Sequence, residues 1–137
     1  MATVDAPANR LVWPILALTS VAWFHDLDHV RQVRDVEPGV ALLGVLGIVG
    51  TLLALALSIA RHVLAPLASI LVGFGTAIGF FAVHVLPDWG PLSDGYPDLP
   101  VDVTSWIAAV VPILVGAWVG VAGLRAARER GISVGRS

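Results

Sequence analysis

The sequence predicts an all-α protein: an integral membrane, up-and-down four-helix bundle with both termini on the cytoplasmic side. Three observations predict it. First, the 137 residues are 57% hydrophobic and only 13% charged, about half the charged fraction of an ordinary soluble domain, and the mean hydropathy is +0.86. Second, the apolar residues fall into four runs, each close to the roughly 20 residues that cross about 30 Å of hydrocarbon. Third, the arginines gather at one end of the alternating topology that those runs define.

The first span covers about residues 11–30 and opens "LVWPILALTSVAW", with Pro14 tolerated in its first turn. It is longer than the apolar core of a secretory signal and reads as a retained helix. The second covers about 40–60, after the break "EPG" at Glu37 to Gly39. The third covers about 63–86 and is stopped by "PDWGP" from Pro87. Only "RHVLAP" joins the second to the third, so the two are antiparallel neighbours. The fourth covers about 103–126, with Pro112 inside it. The one long polar connection is 87–102. Pro91, Pro97 and Pro100 stiffen it, so it is expected to fold over the mouth of the bundle. The chain thus reads as a single four-span domain.

Orientation follows from arginine, because cytoplasmic loops retain positive charge. All eight basic residues are Arg. Arg10, Arg61, Arg125, Arg128, Arg130 and Arg136 fall on the side of the termini; only Arg31 and Arg34 fall on the other. That other side carries Asp26, Asp28, Asp35, Glu37, Asp88, Asp94, Asp98 and Asp102. Trp13 at one boundary and Trp23, Trp89 and Trp106 at the other suit interfacial belts. The Arg-only, Ala/Val/Gly/Leu-rich composition fits a high-GC bacterial gene, and the expected location is a bacterial inner (plasma) membrane, multi-pass. With no cysteine, disulfides, thiolate metal sites and cysteine nucleophiles are excluded. A net charge of -2 gives no footprint for nucleic acid.

Small residues mark close packing. Gly75 and Gly79, and Gly116 and Gly120, form GxxxG pairs, and Gly44, Gly47 and Gly50 form a ridge on the second span. Such residues bring helix backbones together where lipid offers no hydrophobic drive, within the chain or between copies.

The first span ends in "WFHDLDHVRQ", which places two histidines, two aspartates and an arginine in ten residues. At about 100° per residue, with His25 at zero, Asp28 lies near 300°, His29 near 40° and Gln32 near 340°. These four share one face, continuous with Leu18 and Ala22 toward the bundle interior. Asp26 and Arg31 fall off that face, toward headgroups. The third span runs parallel to the first, so His84, just before Pro87, arrives at the same depth, with Asp88 following it. Imidazoles at i and i+4 with a third from a neighbouring helix make a metal-binding set. His25, His29 and His84 are therefore expected ligands, with Asp28 or Asp88 as fourth ligand or as catalytic base. Nitrogen and oxygen donors without thiolate suit a divalent ion, zinc first, then iron or copper. His62, after Arg61 in the short inner turn, is read as a surface or C-terminal helix residue. Asp94, Asp98 and Asp102 lack EF-hand spacing and are read as a solvated cap, and nothing sets Tyr96 apart.

Three functions are open on these residues. One is a metal-dependent membrane enzyme acting on a lipid-like substrate. Another is a haem- or copper-binding module for electron transfer or metal handling. The third is a non-catalytic interaction subunit, homo-oligomeric or bound to a larger membrane partner, whose polar cluster is structural.

Overall fold

A computed structural model describes residues 9–33 and 35–131. Arg34 and Arg136, which entered the charge balance, lie outside the described residues. Four helices form the bundle: α1 (Asn9–Gln32), α2 (Pro38–Ile59), α3 (Ala65–Phe80) and α4 (Val103–Glu129). A π-helical turn, Phe81–Val85, continues α3, and a short 3₁₀ turn, Tyr96–Asp98, lies in the connection to α4. The packed neighbours are α1–α2, α2–α3, α3–α4 and α4–α1, while α1 and α3 meet sparingly across the diagonal. Arg10 near the start of α1 reaches Glu129 at the end of α4, at 3.6 Å, so these two ends lie together.

Local chemistry accounts for the helix limits. Pro38 begins α2, where a missing N–H costs no hydrogen bond. The helix closes in a Schellman arrangement: the N–H of His62 donates to Leu57 O at 2.9 Å and that of Arg61 to Ser58 O at 3.2 Å. Arg61 takes the left-handed position usually given to glycine, at φ 54. Asp102 caps α4, its carboxylate accepting from the Ser105 N–H at 3.0 Å. Pro14 sits further inside α1 than the expected opening turn, because the helix already starts at Asn9.

Among the described residues, three helices are long and apolar enough to cross a membrane: α2, α3 with its π turn, and α4. The helix α1, expected as a fourth span, is not among them. Its last turns carry His25, Asp26, Asp28, His29 and Arg31, and those side chains offset its apolar first half. The outside of α2 presents Leu42, Leu46, Val49 and Leu53, a surface suited to hydrocarbon rather than water.

The apolar core lies toward the end where α1 begins. Leu11, Ile15 and Leu18 of α1 pack there with Ala54, Ala65 and Val119. The close approach of α3 to α4 runs through Gly73, where a Cβ would sit 2.3 Å from the Gly120 nitrogen and 2.7 Å from the Gly116 oxygen. Gly116 and Gly120 are thus at a helix contact, as their spacing suggests. Gly75, Gly79, Gly44 and Gly47 have open space beside them. On α3 the contact falls to Gly73, one residue pair earlier than the GxxxG pattern indicates.

Candidate metal centre

The inward stripe of α1 sets the site. Leu11, Ile15 and Leu18 are buried apolar residues, and at the same helical period the stripe continues into buried His25 and Asp28. The apolar core therefore gives way, at the far end of the bundle, to polar side chains. His29 lies one turn beyond His25, half-buried, and the two Nε2 atoms face each other at 3.0 Å. The third imidazole comes from the π turn: His84 is 3% exposed, with its ring centroid 4.6 Å from that of His25 and 5.7 Å from that of His29. One ring nitrogen from each of the three lies within 4.8 Å of the others. A tetrahedral ion about 2.0–2.1 Å from each nitrogen needs separations of roughly 3.3 Å, so small side-chain rotations would close this set on one ion.

The π turn and the connection after it explain each other. Leu86 N–H donates back five residues to Phe81 O, at 3.2 Å. The next carbonyls cannot be met in the same way, because Pro87 has no N–H. Ala82 O instead accepts from the indole N–H of Trp89 at 2.7 Å, and Val83 O from the Asp94 N–H at 2.8 Å. The connection is thereby drawn back over the bundle. Ser93, Asp94 and Tyr96 are buried in it, and Gly95 is pressed so close that a Cβ would lie 2.7 Å from Asp88 N and 2.8 Å from Leu86 O. The Tyr96 ring covers His84 at 4.8 Å and meets Trp106 edge-on at 5.7 Å. Phe80 closes the site from below, 4.7 Å from His25.

The carboxylates are placed differently from expectation. Asp28 is buried, but its oxygens are taken by Arg31 Nε at 2.8 Å and Gln32 Nε2 at 2.6 Å. Gln32 and Arg31 also reach Ser105 Oγ, at 3.0 and 3.2 Å. Asp28 thus ties α1 to α4 through these partners, while its charge still lies close enough to act on His25. Three residues on from His25, it projects from the α4 side of the stripe. Asp88 is exposed and caps the connection, accepting from the Ser93 hydroxyl and the Gly90 N–H. These donors hold its carboxyl below the usual value. Pro87 ends the helix and turns Asp88 outward, away from the histidines. The carboxylate beside them is Asp94, whose Oδ2 lies 3.7 Å from His84 Nδ1. Sequence spacing does not reveal it, since the chain returns to the site only through the turns after Pro87.

Arg31 does not merely reach for headgroups. It bridges Asp28 and Asp102, both within 2.9 Å, and this contact with the Ser105 N–H holds the Asp102 carboxyl below its usual range. His62 is the turn residue expected, with its Nδ1 accepting from the Leu64 N–H at 3.2 Å and its carbonyl from Arg130 at 3.1 Å.

No protein-family model, curated protein or solved structure matches this chain. The site's own chemistry therefore carries the functional reading: a small helical protein with three candidate membrane helices and a histidine cluster that could hold a metal ion.

Proposed function

We propose that this protein is a membrane metalloprotein, a four-helix bundle that holds one divalent ion, zinc in the first place, on His25, His29 and His84. The observation that carries this reading is the convergence of three ring nitrogens, from α1 and from the π turn, within 4.8 Å of one another. A cation between the three rings would take one nitrogen lone pair from each. Three imidazoles with no thiolate are a donor set for zinc and related borderline ions. The ring packing, with centroids 4.5–5.7 Å apart, favours an ion over haem, since a macrocycle needs a slot between its axial ligands.

Three protein ligands leave a fourth position for water or substrate, which is the arrangement of catalytic rather than structural zinc. The site lies at one end of the bundle beside the exposed apolar residues Phe24, Leu27 and Val30. A lipid-like molecule hydrolysed by metal-bound water is the reaction class that fits. The test is elemental analysis of the detergent-purified protein beside a His84→Ala variant. About one ion per chain, lost in the variant, is the expected result.

A second reading has its own support. The 3.0 Å Nε2–Nε2 contact of His25 and His29 is also a hydrogen bond between a neutral pair within α1, and with the His84 ring packed against both the cluster can act as a polar tie between α1 and the π turn. That reading is adopted if wild-type protein carries no metal while His25→Ala lowers thermal stability.

A further inference from the structure

We infer that Asp94 is the residue that aims His84 at the ion. This rests on the metal-site reading above and adds to it a residue from outside the histidine set.

His84 Nδ1 faces two oxygens of one residue, the Asp94 main-chain oxygen at 3.4 Å and its carboxylate Oδ2 at 3.7 Å. Both are acceptors, so the ring meets them only by carrying its hydrogen on Nδ1. That tautomer places the lone pair on Nε2. His25 and His29 turn their Nε2 atoms to each other, so the nitrogen that this tautomer offers on His84 is the same one as on its two neighbours. A carboxylate behind a ligating imidazole also raises its basicity and fixes its plane. Burial strengthens this effect: the Asp94 side chain is 8% exposed and that of His84 4%, so water screens their interaction little.

The main chain holds Asp94 in register. Its N–H is bound to Val83 O, on the residue immediately before His84, and Gly95 permits the close passage beyond it. Asp94 acts through His84 and leaves the fourth position of the ion open. The connection between α3 and α4 is thereby part of the metal site and not only its cover.

The experiment is a Co²⁺ titration of the full chain in detergent, followed by the visible bands of the four-coordinate ion, with Zn²⁺ competition to obtain Kd. Wild-type protein, Asp94→Ala, Asp94→Asn and Asp88→Asn are compared. Asp88→Asn is the control for the loop, since Asp88 braces the same connection without touching His84. Expected are one site in every protein and an affinity about 10- to 100-fold weaker in Asp94→Ala. Asp94→Asn, which keeps an oxygen acceptor without the charge, falls between that variant and wild type, and Asp88→Asn keeps wild-type affinity. Equal Kd values for wild type and Asp94→Ala overturn the inference and leave the histidine site standing. An equal loss in Asp88→Asn overturns it too, assigning the effect to loop docking. If wild-type protein binds no Co²⁺ or Zn²⁺, the metal-site reading itself fails.

Discussion

Arg31 and Asp102, 71 residues apart, meet through an Nη2–Oδ1 contact of 2.9 Å, and the same guanidinium holds Asp28 at 2.8 Å. The two carboxylates differ in exposure: the Asp28 side chain is 2% exposed and that of Asp102 54%. Removing Arg31 leaves a buried carboxylate without its cation, whereas removing Asp102 leaves an exposed arginine that water can solvate. Arg31→Ala is therefore expected to lower the Tm in detergent more than Asp102→Ala. The opposite order would mean that the cap of α4, not the Asp28 pair, dominates this junction.

Packing of α3 on α4 makes a second contrast. A methyl group at Gly73 meets backbone at 2.3 Å, so Gly73→Ala forces the helices apart and is expected to cost about 1–3 kcal/mol or more. Gly75→Ala and Gly79→Ala meet open space and gain helix propensity, roughly 0.5–1 kcal/mol each. Thermal denaturation of the three variants checks this. A destabilised Gly75→Ala would point to a contact with another chain on that face.

Metal retention depends on neutral imidazoles. A protonated ring cannot coordinate, so lowering the pH releases the ion. With three ligands competing for protons, release is expected to be steeper than a single titration. Equilibrium dialysis from pH 8 to pH 4 measures it. A release curve that is the same in wild-type protein and in a His25→Ala, His29→Ala double variant would place the ion on other ligands.

The connection over the site has its own acid limit. The Asp88 carboxyl is held below its ordinary 3.8 by the Ser93 hydroxyl and the Gly90 N–H. A depressed carboxyl contributes its stabilisation fully above the unfolded value and loses it as the pH falls through the folded one. Loosening of the connection is thus expected only below about pH 3.8, and Asp88→Asn should remove that dependence. Trp89 fluorescence during acid titration reports it; a transition near pH 6 that persists in Asp88→Asn would assign it to another group.

Arginine placement predicts a cytoplasmic C-terminus. A reporter fused after residue 137 should be active only inside the cell, with one inserted near Asp88 active outside. The reverse pattern would turn the metal site to the cytoplasm.

Much of this was legible because its cause is periodic. The stripe from Leu11 through Leu18 to His25 follows from 3.6-residue spacing, and the meeting of His84 with that stripe follows from two parallel helices of similar length. What was not legible depends on non-periodic backbone. Asp88 follows His84 closely in the chain, yet Pro87 turns it away. Asp94 is ten residues on from His84 and returns only because Val83 O needs a donor. Asp28 shared the predicted face, but partners on α4 that only tertiary structure supplies, Ser105 and Asp102, claim its neighbourhood. The glycine contact at Gly73 was hidden for a related reason: a small-residue pattern shows that a helix can pack closely, not which side does.

The π turn at Phe81–Val85 has a structural consequence. A π turn amounts to one residue more than an α-helix would use over the same length, and restoring the α register swings everything beyond it by about 100°. His84 would then leave the side on which His25 and His29 lie. The loss or gain of a single residue in this stretch would therefore part the three imidazoles or bring them together within an otherwise unchanged helical bundle, so gathering them takes one slipped register and no new helix.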